Sequence, residues 1–471
     1  MKTNIHHLLW AVAGVMLSGC SGDLLDLYPE MDNVLDNYYT SKAQIEKGVN
    51  AAYASLQYDG QYQLANLVLG ELPSDNTLDE VPANDGGNYG QLDLFSMTSA
   101  NTVVADSWFD NYRGIQQCNV VLNRVDEISD MSDEDKSQIK GEMYFLRSLM
   151  YFNLVRIFGD VPLVVQETTN PNDYFGQERT PKEEVYTQIL TDLKASYNSL
   201  PQNVTVKSKA SKGAAAALLG KVYLTLGDID NSVVWLEKVS PSEYGLLDEP
   251  ADVFAIENEG NKEVIFDVEF ASGINGTEEG SSAFQMFSPS GTVSGAKGHN
   301  LPTPYVYDLY TETDKRKCAY FIVTDEGVLG TAKLKQTSNT VSDGGSNIIV
   351  LRYADVLLMK AECYAAKNRL NEANDCLRTV RERAGLTYED INNASILEEE
   401  IALERQKELI NEGHRWFDLI RTGKAIKVMN DYFAETPGYN GVSVNENNYV
   451  QPIPQDQIDT DPSIKQNEGY N

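Results

Sequence analysis

Two stretches of sequence decide the fold: residues 214–239 read AAAALLGKVYLTLGDIDNSVVWLEKV, and residues 357–380 read LLMKAECYAAKNRLNEANDCLRTV. In both, apolar residues recur at helical spacing on either side of a short polar turn. An aromatic residue, Tyr223 in one and Tyr364 in the other, stands just before that turn. Each stretch therefore predicts two helices packed antiparallel across a tight turn.

The common register of the two stretches indicates that one unit is repeated. Small residues where helices cross, an aromatic residue before the turn and alanine after it resemble tetratricopeptide units, which stack on copies of themselves. Unrelated antiparallel helix pairs are the alternative. Four pairs can be counted, at 142–200, 214–239, 355–383 and from 399 to about 431, the last with earlier helices. We predict a mainly α fold with a tetratricopeptide-like scaffold, long loops and small β-hairpins.

Other helices continue outward from this scaffold. Apolar spacing predicts a helix from Ser41 to about Leu56 and another from about Val104 to Asp126. Residues 142–158, EMYFLRSLMYFNLVRIF, are apolar around most of the helical circumference. A helix of that kind is typically surrounded by other helices.

Composition limits the class of function. The chain has 471 residues, 38 Lys and Arg against 70 Asp and Glu, a formal charge of −32 and 42% hydrophobic residues. Neutralising nucleic-acid phosphates requires clustered Lys and Arg, so a nucleic-acid partner is not expected. The apolar content is ample for a folded core.

The N-terminus predicts export and a lipid anchor. Residues 1–19 form a signal peptide, with Lys2 followed by an apolar run too short to span a bilayer. Leu-Ser-Gly-Cys at its end matches a bacterial lipobox, which makes Cys20 the lipidated residue of the mature chain. The alternative is an ordinary secretory signal with a chance cysteine. No later stretch has the roughly 18 apolar residues of a spanning helix.

Cysteine and histidine content argues against metals and most enzymes. The four later cysteines, Cys118, Cys318, Cys363 and Cys376, lack zinc-site spacing and read as core thiols, with a bridge between the last two as the alternative. Only two histidines follow the leader, and no serine-hydrolase or zinc-protease motif occurs. We expect no metal, no cofactor and no enzymatic activity, although composition does not exclude a glycosidase carboxylate pair.

Two long polar tracts are the places to look for a ligand. Residues 72–102 and 271–300 are rich in Gly, Ser, Asn and Asp and are too long to be turns. Loops of that length are usually functional or disordered. Between the repeats, residues 262–270 alternate apolar and polar side chains and predict a short strand.

The sequence as a whole resembles the SusD/RagB family of outer-membrane nutrient-binding lipoproteins. Five stretches carry the resemblance, in the family's order behind the lipobox: CSGDLLDLYPE at 20–30, EMYFLRSLMYFNLVRIFGDVP at 142–162, RYAD at 352–355 through Ala361-Glu362, EGHRWFDL at 412–419, and QPIP at 451–454 with Gln466-Asn467 and Gly469-Tyr470.

The resemblance implies one body over residues 20–471, with loops beside the helical repeats binding the ligand. Its parts would be a helical N-terminal half at 20–240, a loop-rich insert at 241–350 and the family's C-terminal half at 351–471. The resemblance also implies a partner, a SusC/RagA-type TonB-dependent transporter on which the protein acts as a lid. Cell-surface exposure is expected too, although only Asp23 supplies an acidic residue close behind Cys20.

Several charged and aromatic residues read as structural. Charges inside apolar helices are costly unless paired, so we expect one set of six to pair with one another. Trp108, Trp235 and Trp416 have helical spacing among aliphatic residues, which predicts core positions. The six charged residues are Glu142, Arg147, Arg352, Asp355, Arg415 and Asp418.

Because no tryptophan lies in the polar tracts, a glycan site there would use Tyr or Phe for ring stacking and polar side chains for the hydroxyl groups. The aromatic candidates are Tyr89, Phe95, Phe284 and Phe287. The polar candidates are Asp75, Asn76, Asn88 and Gln285.

The leading functional hypothesis is a non-catalytic oligosaccharide-binding lipoprotein. The nearest alternative is a peptide binder of the same architecture, favoured by the acids Asp75, Asp79, Glu80 and Asp85 in the first polar tract. A hydrolase would need two carboxylates in one cleft, one of them with a raised pKa. A plain repeat scaffold would have no concave aromatic site at all.

Overall fold

The computed structural model describes residues 39–170, 176–202, 204–274 and 279–470. The predicted signal peptide at 1–19 and Cys20 lie outside these residues. Within them the chain is mainly helical, which confirms the predicted fold class.

Eight helices occupy the first half of the described chain. They are α1 (Lys42–Ala54), α2 (Ala65–Leu69), α3 (Asn88–Asp93), α4 (Thr102–Arg124), α5 (Asp133–Phe158), α6 (Lys182–Ser199), α7 (Lys212–Thr225) and α8 (Ile229–Leu236).

Nine further helices follow. They are α9 (Ala283–Met286), α10 (Pro304–Asp308), α11 (Arg316–Tyr320), α12 (Tyr353–Ala366), α13 (Leu370–Arg383), α14 (Ala394–Glu408), α15 (Arg415–Arg421), α16 (Ala425–Glu435) and α17 (Gln455–Thr460).

The long helices pack mostly against their neighbours in sequence, as a helical repeat requires. Helices α4 to α8 contact one another in order, α8 packs on α12, and α12 pairs with α13. The predicted fourth pair differs, because α14 packs back on α12 and α13. Helices α15 and α16 instead form a separate aromatic cluster around Trp416 and Phe433.

Helix α5 is the centre of the main core. Ser132 caps its N-terminus by accepting a hydrogen bond from the Asp135 amide at 3.0 Å. From Ile139 to Phe158 nearly every side chain is buried, including Phe145, which packs edge to face on Phe266. The continuous apolar run in the sequence thus corresponds to a helix enclosed by other helices.

Within the described residues, strands are few and form three two-stranded antiparallel sheets. Of these sheets, only the one of β4 (Phe321–Val323) and β5 (Leu329–Thr331) is a local hairpin of the predicted kind. Strand β2 (Val264–Val268), inside the predicted 262–270 segment, pairs with the distant β6 (Ile348–Arg352). Likewise β1 (Thr77–Leu78) pairs with β3 (Leu301–Pro302) and joins the two polar tracts.

The six charged residues are engaged, but not with one another as predicted. Arg147 forms a buried bidentate pair with Asp192, at 2.8 and 3.0 Å. Each of the others likewise finds a partner that the sequence does not reveal. Glu142 accepts from Tyr53, Arg352 pairs with Glu263, Glu408 and Glu412, Asp355 with Lys221 and Arg405, Arg415 with Asp75, and Asp418 with Arg405 and Arg421.

Two core predictions need correction. Trp108 and Trp416 are buried as expected, but Trp235 is only half-buried and packs edge to face on Tyr197. All four cysteines of the described chain are free, so the alternative bridge between Cys363 and Cys376 is not formed. Cys318 is exposed rather than in the core, because it lies on the short surface helix α11.

Across the described residues, every helix is too short or too polar to cross a lipid bilayer.

Candidate functional site

The structure brings the two polar tracts together into a tight junction. The imidazole nitrogens of His299 each lie 2.8 Å from a carboxylate oxygen, one of Asp79 and one of Asp85. The ring of Tyr89 stacks on the imidazole at 3.7 Å, and Lys297 donates to Asp85 at 2.8 Å. The tracts therefore brace each other here instead of forming free loops.

Backbone contacts complete this junction. The Glu80 amide donates to the Gly298 carbonyl at 3.0 Å, and the Glu80 carboxylate accepts from the Ser290 amide at 2.8 Å. Burial alone would raise the pKa of the Asp85 carboxyl, but hydrogen bonds from Lys297 and His299 lower it overall. The carboxylate of Asp85 thus interacts with groups of the protein itself.

Five of the eight sequence-predicted site residues are built into the fold. Asp75 is fully buried and forms a bidentate pair with Arg415 at 2.7 and 2.8 Å. Asn76 is buried between Glu71 and Gln406, which it contacts at 2.6 and 2.8 Å. Of the three aromatic residues in this group, Tyr89 stacks on His299, Phe95 packs on Trp416 and Phe433, and Phe287 lies in the main core.

The other three lie closer to the surface. Asn88 is half-buried, and its side-chain oxygen accepts from the Thr102 amide at 2.9 Å. Phe284 and Gln285 are half-buried on the short helix α9, and Gln285 donates to the Ser294 carbonyl at 3.0 Å. The eight residues therefore follow the two tracts, and none of them lines the groove described next.

A concave surface does exist beside these tracts, between α4 and the segment that follows α1. It is an open groove of about 520 Å³. Its lining combines carboxylates, amides, an arginine and aromatic rings: Ala54, Gln57, Tyr58, Asp59, Gln63, Asp106, Asp110, Arg113, Phe270, Glu279 and Gly280. We name it the Tyr58 groove. Only Glu279 and Gly280 come from the second polar tract.

A close approach of two backbones builds the groove. After α1 the chain turns through Ser55–Gln57 into a single π-helical turn, Asp59–Gln63, which is kinked at Gln61. Gly60 lies against α4 so closely that a Cβ atom there would stand 2.0 Å from the Asp106 carbonyl oxygen. A glycine is therefore required, and this contact fixes Tyr58 and Asp59 at the rim.

Tyr58 presents the exposed aromatic surface of the groove, with 41% of the residue accessible. The Arg113 guanidinium carbon lies 5.9 Å from the ring centroid, within the range of a cation–π contact. Arg113 also donates to Asp110 at 3.0 Å, which links the ring to the acidic wall. On the same helix Phe109 is 37% exposed.

The acidic wall is only partly paired. Asp110 accepts from the Gly60 amide at 3.0 Å, and Asp59 accepts from Gln63. Asp106 has neither a hydrogen bond nor an ion pair with any described residue through its carboxylate. Burial raises the pKa of both Asp106 and Asp110 above 3.8, and neighbouring carboxylates raise it further.

The carboxylates of this wall come from two segments of the chain. Asp106 and Asp110 lie one helical turn apart on the same face of α4, and Asp59 lies on the segment that follows α1. No group of three or more metal-binding side chains is found in the parts of the chain that the structure describes. The arrangement suits hydrogen bonding to a polar ligand.

Sequence reasoning missed the residues of this groove, although a signal was present. Asp106, Asp110 and Arg113 recur at helical spacing and form a polar stripe on a helix that was otherwise read for its apolar face. Asp59-Gly60 after α1 predicts a turn, but the sequence does not tell which helix packs against that turn.

Two family models match the chain. The model described as "SusD family" matches residues 322–470, and the model described as "Starch-binding associating with outer membrane" matches residues 23–224. The two family models therefore match the N-terminal and the C-terminal parts of the chain.

Known proteins match along nearly the whole length. A SusD-like protein of Formosa agariphila is 27% identical, and the match covers 93% of each chain. The starch-binding protein SusD of Bacteroides thetaiotaomicron is 22% identical over 74% of this chain and 75% of that protein.

Solved structures share the fold. A laminarin-binding SusD-like protein is 27% identical, with a TM-score of 0.78, over 92% of this chain and 100% of that one. The surface glycan-binding protein A of Bacteroides thetaiotaomicron in complex with laminarihexaose has a TM-score of 0.79 at 22% identity, over 91% and 100% of the chains. The likeness to that second structure concerns the fold alone.

Proposed function

The chain belongs to the SusD family, and from that premise we propose that it captures oligosaccharides and passes them to a SusC-type TonB-dependent transporter as its lid. The observation that carries the proposal is the Tyr58 groove, which joins an exposed aromatic ring to carboxylates and amides. The names of the laminarin-binding and starch-binding relatives support a glycan as cargo.

The chemistry of the groove fits a sugar. Sugar rings present C–H faces that pack on aromatic planes, and Tyr58 offers such a plane to solvent. Sugar hydroxyl groups donate to carboxylates and both donate to and accept from amides, here Asp106, Gln57 and Gln63. Charge-assisted hydrogen bonds to carboxylates are the stronger kind.

Among the residues predicted from sequence, Phe284, Gln285 and Asn88 are retained as further ligand contacts. Phe284 and Gln285 follow the groove residues Glu279 and Gly280 by a few positions, so a longer oligosaccharide could reach them. Asp75, Asn76, Tyr89 and Phe287 are buried, so we propose that they support the fold and do not contact the ligand. We propose the same role for the half-buried Phe95, because its ring packs on Trp416 and Phe433.

Isothermal titration against neutral glucans, mannans and mucin glycans tests the capture role. We expect at least one glycan to bind the wild type and to bind Tyr58→Ala at least about tenfold more weakly, because a stacking plane is lost. Tyr58→Phe keeps the ring and is the matched control. Equal affinity in Tyr58→Ala would remove the groove from the proposal.

We propose that the protein binds the glycan without cleaving it. The expected result is that the purified chain releases no reducing ends from a bound glycan over many hours. Turnover that disappears in Asp106→Asn would refute this part and identify a glycosidase.

The anchor and the transporter are proposed from the sequence and the family. The lipobox at Cys20 predicts that Cys20→Ala moves the protein from the membrane fraction to the soluble fraction. A tagged chain purified in mild detergent is expected to retain an outer-membrane barrel with it. A tagged protein that elutes alone at every detergent concentration would contradict the lid role.

A peptide cargo is the second candidate, favoured by the excess of carboxylates in the groove, which would attract amino-terminal or cationic peptides. Native mass spectrometry of the chain purified from its host distinguishes the two. Bound peptide masses that disappear in Tyr58→Ala would favour a peptide ligand. Bound masses spaced by one hexose would favour a glycan ligand.

A further inference from the structure

We propose that the Tyr58 groove admits uncharged oligosaccharides and rejects anionic ones, with the carboxylate of Asp106 acting as the charge filter. This inference rests on the proposed glycan-binding role and names the class of glycan. It makes Asp106 a specificity-determining residue.

The charge balance of the lining supports this selectivity. Four carboxylates, of Asp59, Asp106, Asp110 and Glu279, face the groove, against one cation, Arg113. That cation is already paired with Asp110 at 3.0 Å. A uronate or sulfate entering the groove would therefore meet more negative than positive charge.

Asp106 is the strongest element of the filter. Its carboxylate has no hydrogen bond or ion pair with any described residue, and Arg113 acts on it only through space. The Gly60 backbone abuts its carbonyl group, which holds this turn of α4 in place at the wall. An unpaired carboxylate on a backbone held in place accepts hydrogen bonds from neutral hydroxyl groups and repels a second anion.

The groove is more than a group of acids. Tyr58 supplies the exposed ring, Gln57 and Gln63 supply amides, and the volume of about 520 Å³ accommodates a ligand larger than an ion. The carboxylates therefore act on a ligand that the ring and amides hold.

The repulsion has a measurable size. Two unit charges several ångströms apart at a partly hydrated surface interact strongly enough to change affinity by about tenfold. The effect weakens as salt screens the charges, because the Debye length is only about 8 Å at physiological ionic strength. Discrimination should thus shrink at high salt.

The test uses the mature full-length chain and matched probes. Laminarihexaose, maltohexaose and mannohexaose are each compared with the same sugar after oxidation of its primary alcohols to carboxylates. We expect the best neutral probe to bind at least about tenfold more tightly than its oxidised form. The Asp59→Asn, Asp106→Asn double variant should reduce that ratio toward one by gaining affinity for the oxidised probe.

The control carries the same change in net charge elsewhere. Glu398→Gln with Glu399→Gln alters two exposed acids on α14 and should leave the ratio unchanged. Tighter or equal binding of the oxidised probe by the wild type would overturn the charge filter while leaving glycan capture intact. If neutral and oxidised probes both fail to bind, the proposed function itself falls, and the filter with it.

Discussion

Two regions of this molecule carry many charges, and they use them differently. In the interior, the fully buried Glu408 contacts Arg316 at 2.9 Å and Arg352 at 2.7 Å, and Arg383 and Tyr320 also donate to it. In the Tyr58 groove, Asp106 is exposed and has no such partner in the described chain. Complete pairing stabilises the scaffold, whereas the unpaired carboxylate in the groove can accept hydrogen bonds from a ligand.

The pKa shifts differ in the same way. Burial by itself would raise the pKa of Glu408, but the surrounding guanidinium groups lower it well below 4.5. In the groove, burial and neighbouring carboxylates leave the pKa of Asp106 and Asp110 above 3.8. The arginines around Glu408 thus stabilise its negative charge, whereas the groove holds no comparable set of cations around Asp106.

The largest expected effect is in the interior. Glu408→Ala should lower the free energy of unfolding by about 3–5 kcal/mol, because it removes from a fully buried cluster the carboxylate that Arg316, Arg352 and Arg383 share. Denaturant unfolding followed by circular dichroism measures the change. The control Glu312→Ala removes an exposed acid paired with Lys317 and should cost less than about 1 kcal/mol. Equal effects would remove the distinction between the regions.

The pair of Arg415 and Asp75 is the next test, because Asp75 was a ligand candidate from sequence. Arg415→Ala should lower the free energy of unfolding by about 2–3 kcal/mol, through loss of a charged, mostly buried hydrogen-bonded pair. Ligand affinity per folded molecule should stay the same. A selective loss of binding with normal stability would return Asp75 to the ligand site.

Gly60 belongs to the groove, because it packs against Asp106 and Asp110 of α4. Gly60→Ala should cost about 1–3 kcal/mol, because its Cβ would overlap the Asp106 carbonyl and the backbone must shift. Gly423→Ala is a control at a glycine with open space around it, although its positive φ adds some strain. Ligand titration should show weaker binding for Gly60→Ala only, and normal binding there would contradict the described groove.

The smallest effect is the response to acid. A carboxyl with a lowered folded pKa, such as Glu408, stabilises the fold above its ordinary pKa of 4.5 and loses that contribution only as pH falls toward the folded value. Asp106 and Asp110 have raised pKa values, so they protonate earlier on acidification. Affinity for a neutral glycan should therefore fall, by less than about tenfold, before unfolding begins.

Parallel titration calorimetry and circular dichroism between pH 7 and pH 4 measure the order of these events. Asp106→Asn should flatten the affinity profile without moving the unfolding profile. Simultaneous loss of binding and structure would contradict the contrast between groove and interior.

Much of the helical scaffold could be predicted from sequence, because the spacing of apolar residues that indicates a helix is local. The helical spacing around Tyr223 and Tyr364 depends on residues a few positions apart, and the helices formed where the pattern placed them. The apolar residues on all sides of the helix at 142–158 likewise predicted that this helix is buried. Such patterns need no knowledge of the distant chain.

The charge partners and the groove could not be predicted because they join distant residues. Arg352 pairs with Glu408 and Glu263, which are distant from it in sequence. The residues next to these two acids in sequence do not distinguish them from exposed acids. Tyr58 and Asp106 likewise meet only after α1 and α4 pack together. The polar tracts were long, but β1, β3 and His299 tie them to each other, a pairing invisible to local patterns.

The most direct test of the central claim is hydrogen exchange followed by mass spectrometry, with and without saturating neutral oligosaccharide. The account predicts that ligand slows exchange in peptides covering 57–63 and 279–280, and that peptides around Asp75 and Arg415 exchange at the same rate in both states. Protection confined to residues 84–95 and 284–299 would place the ligand on the loop junction and contradict the assignment of the Tyr58 groove.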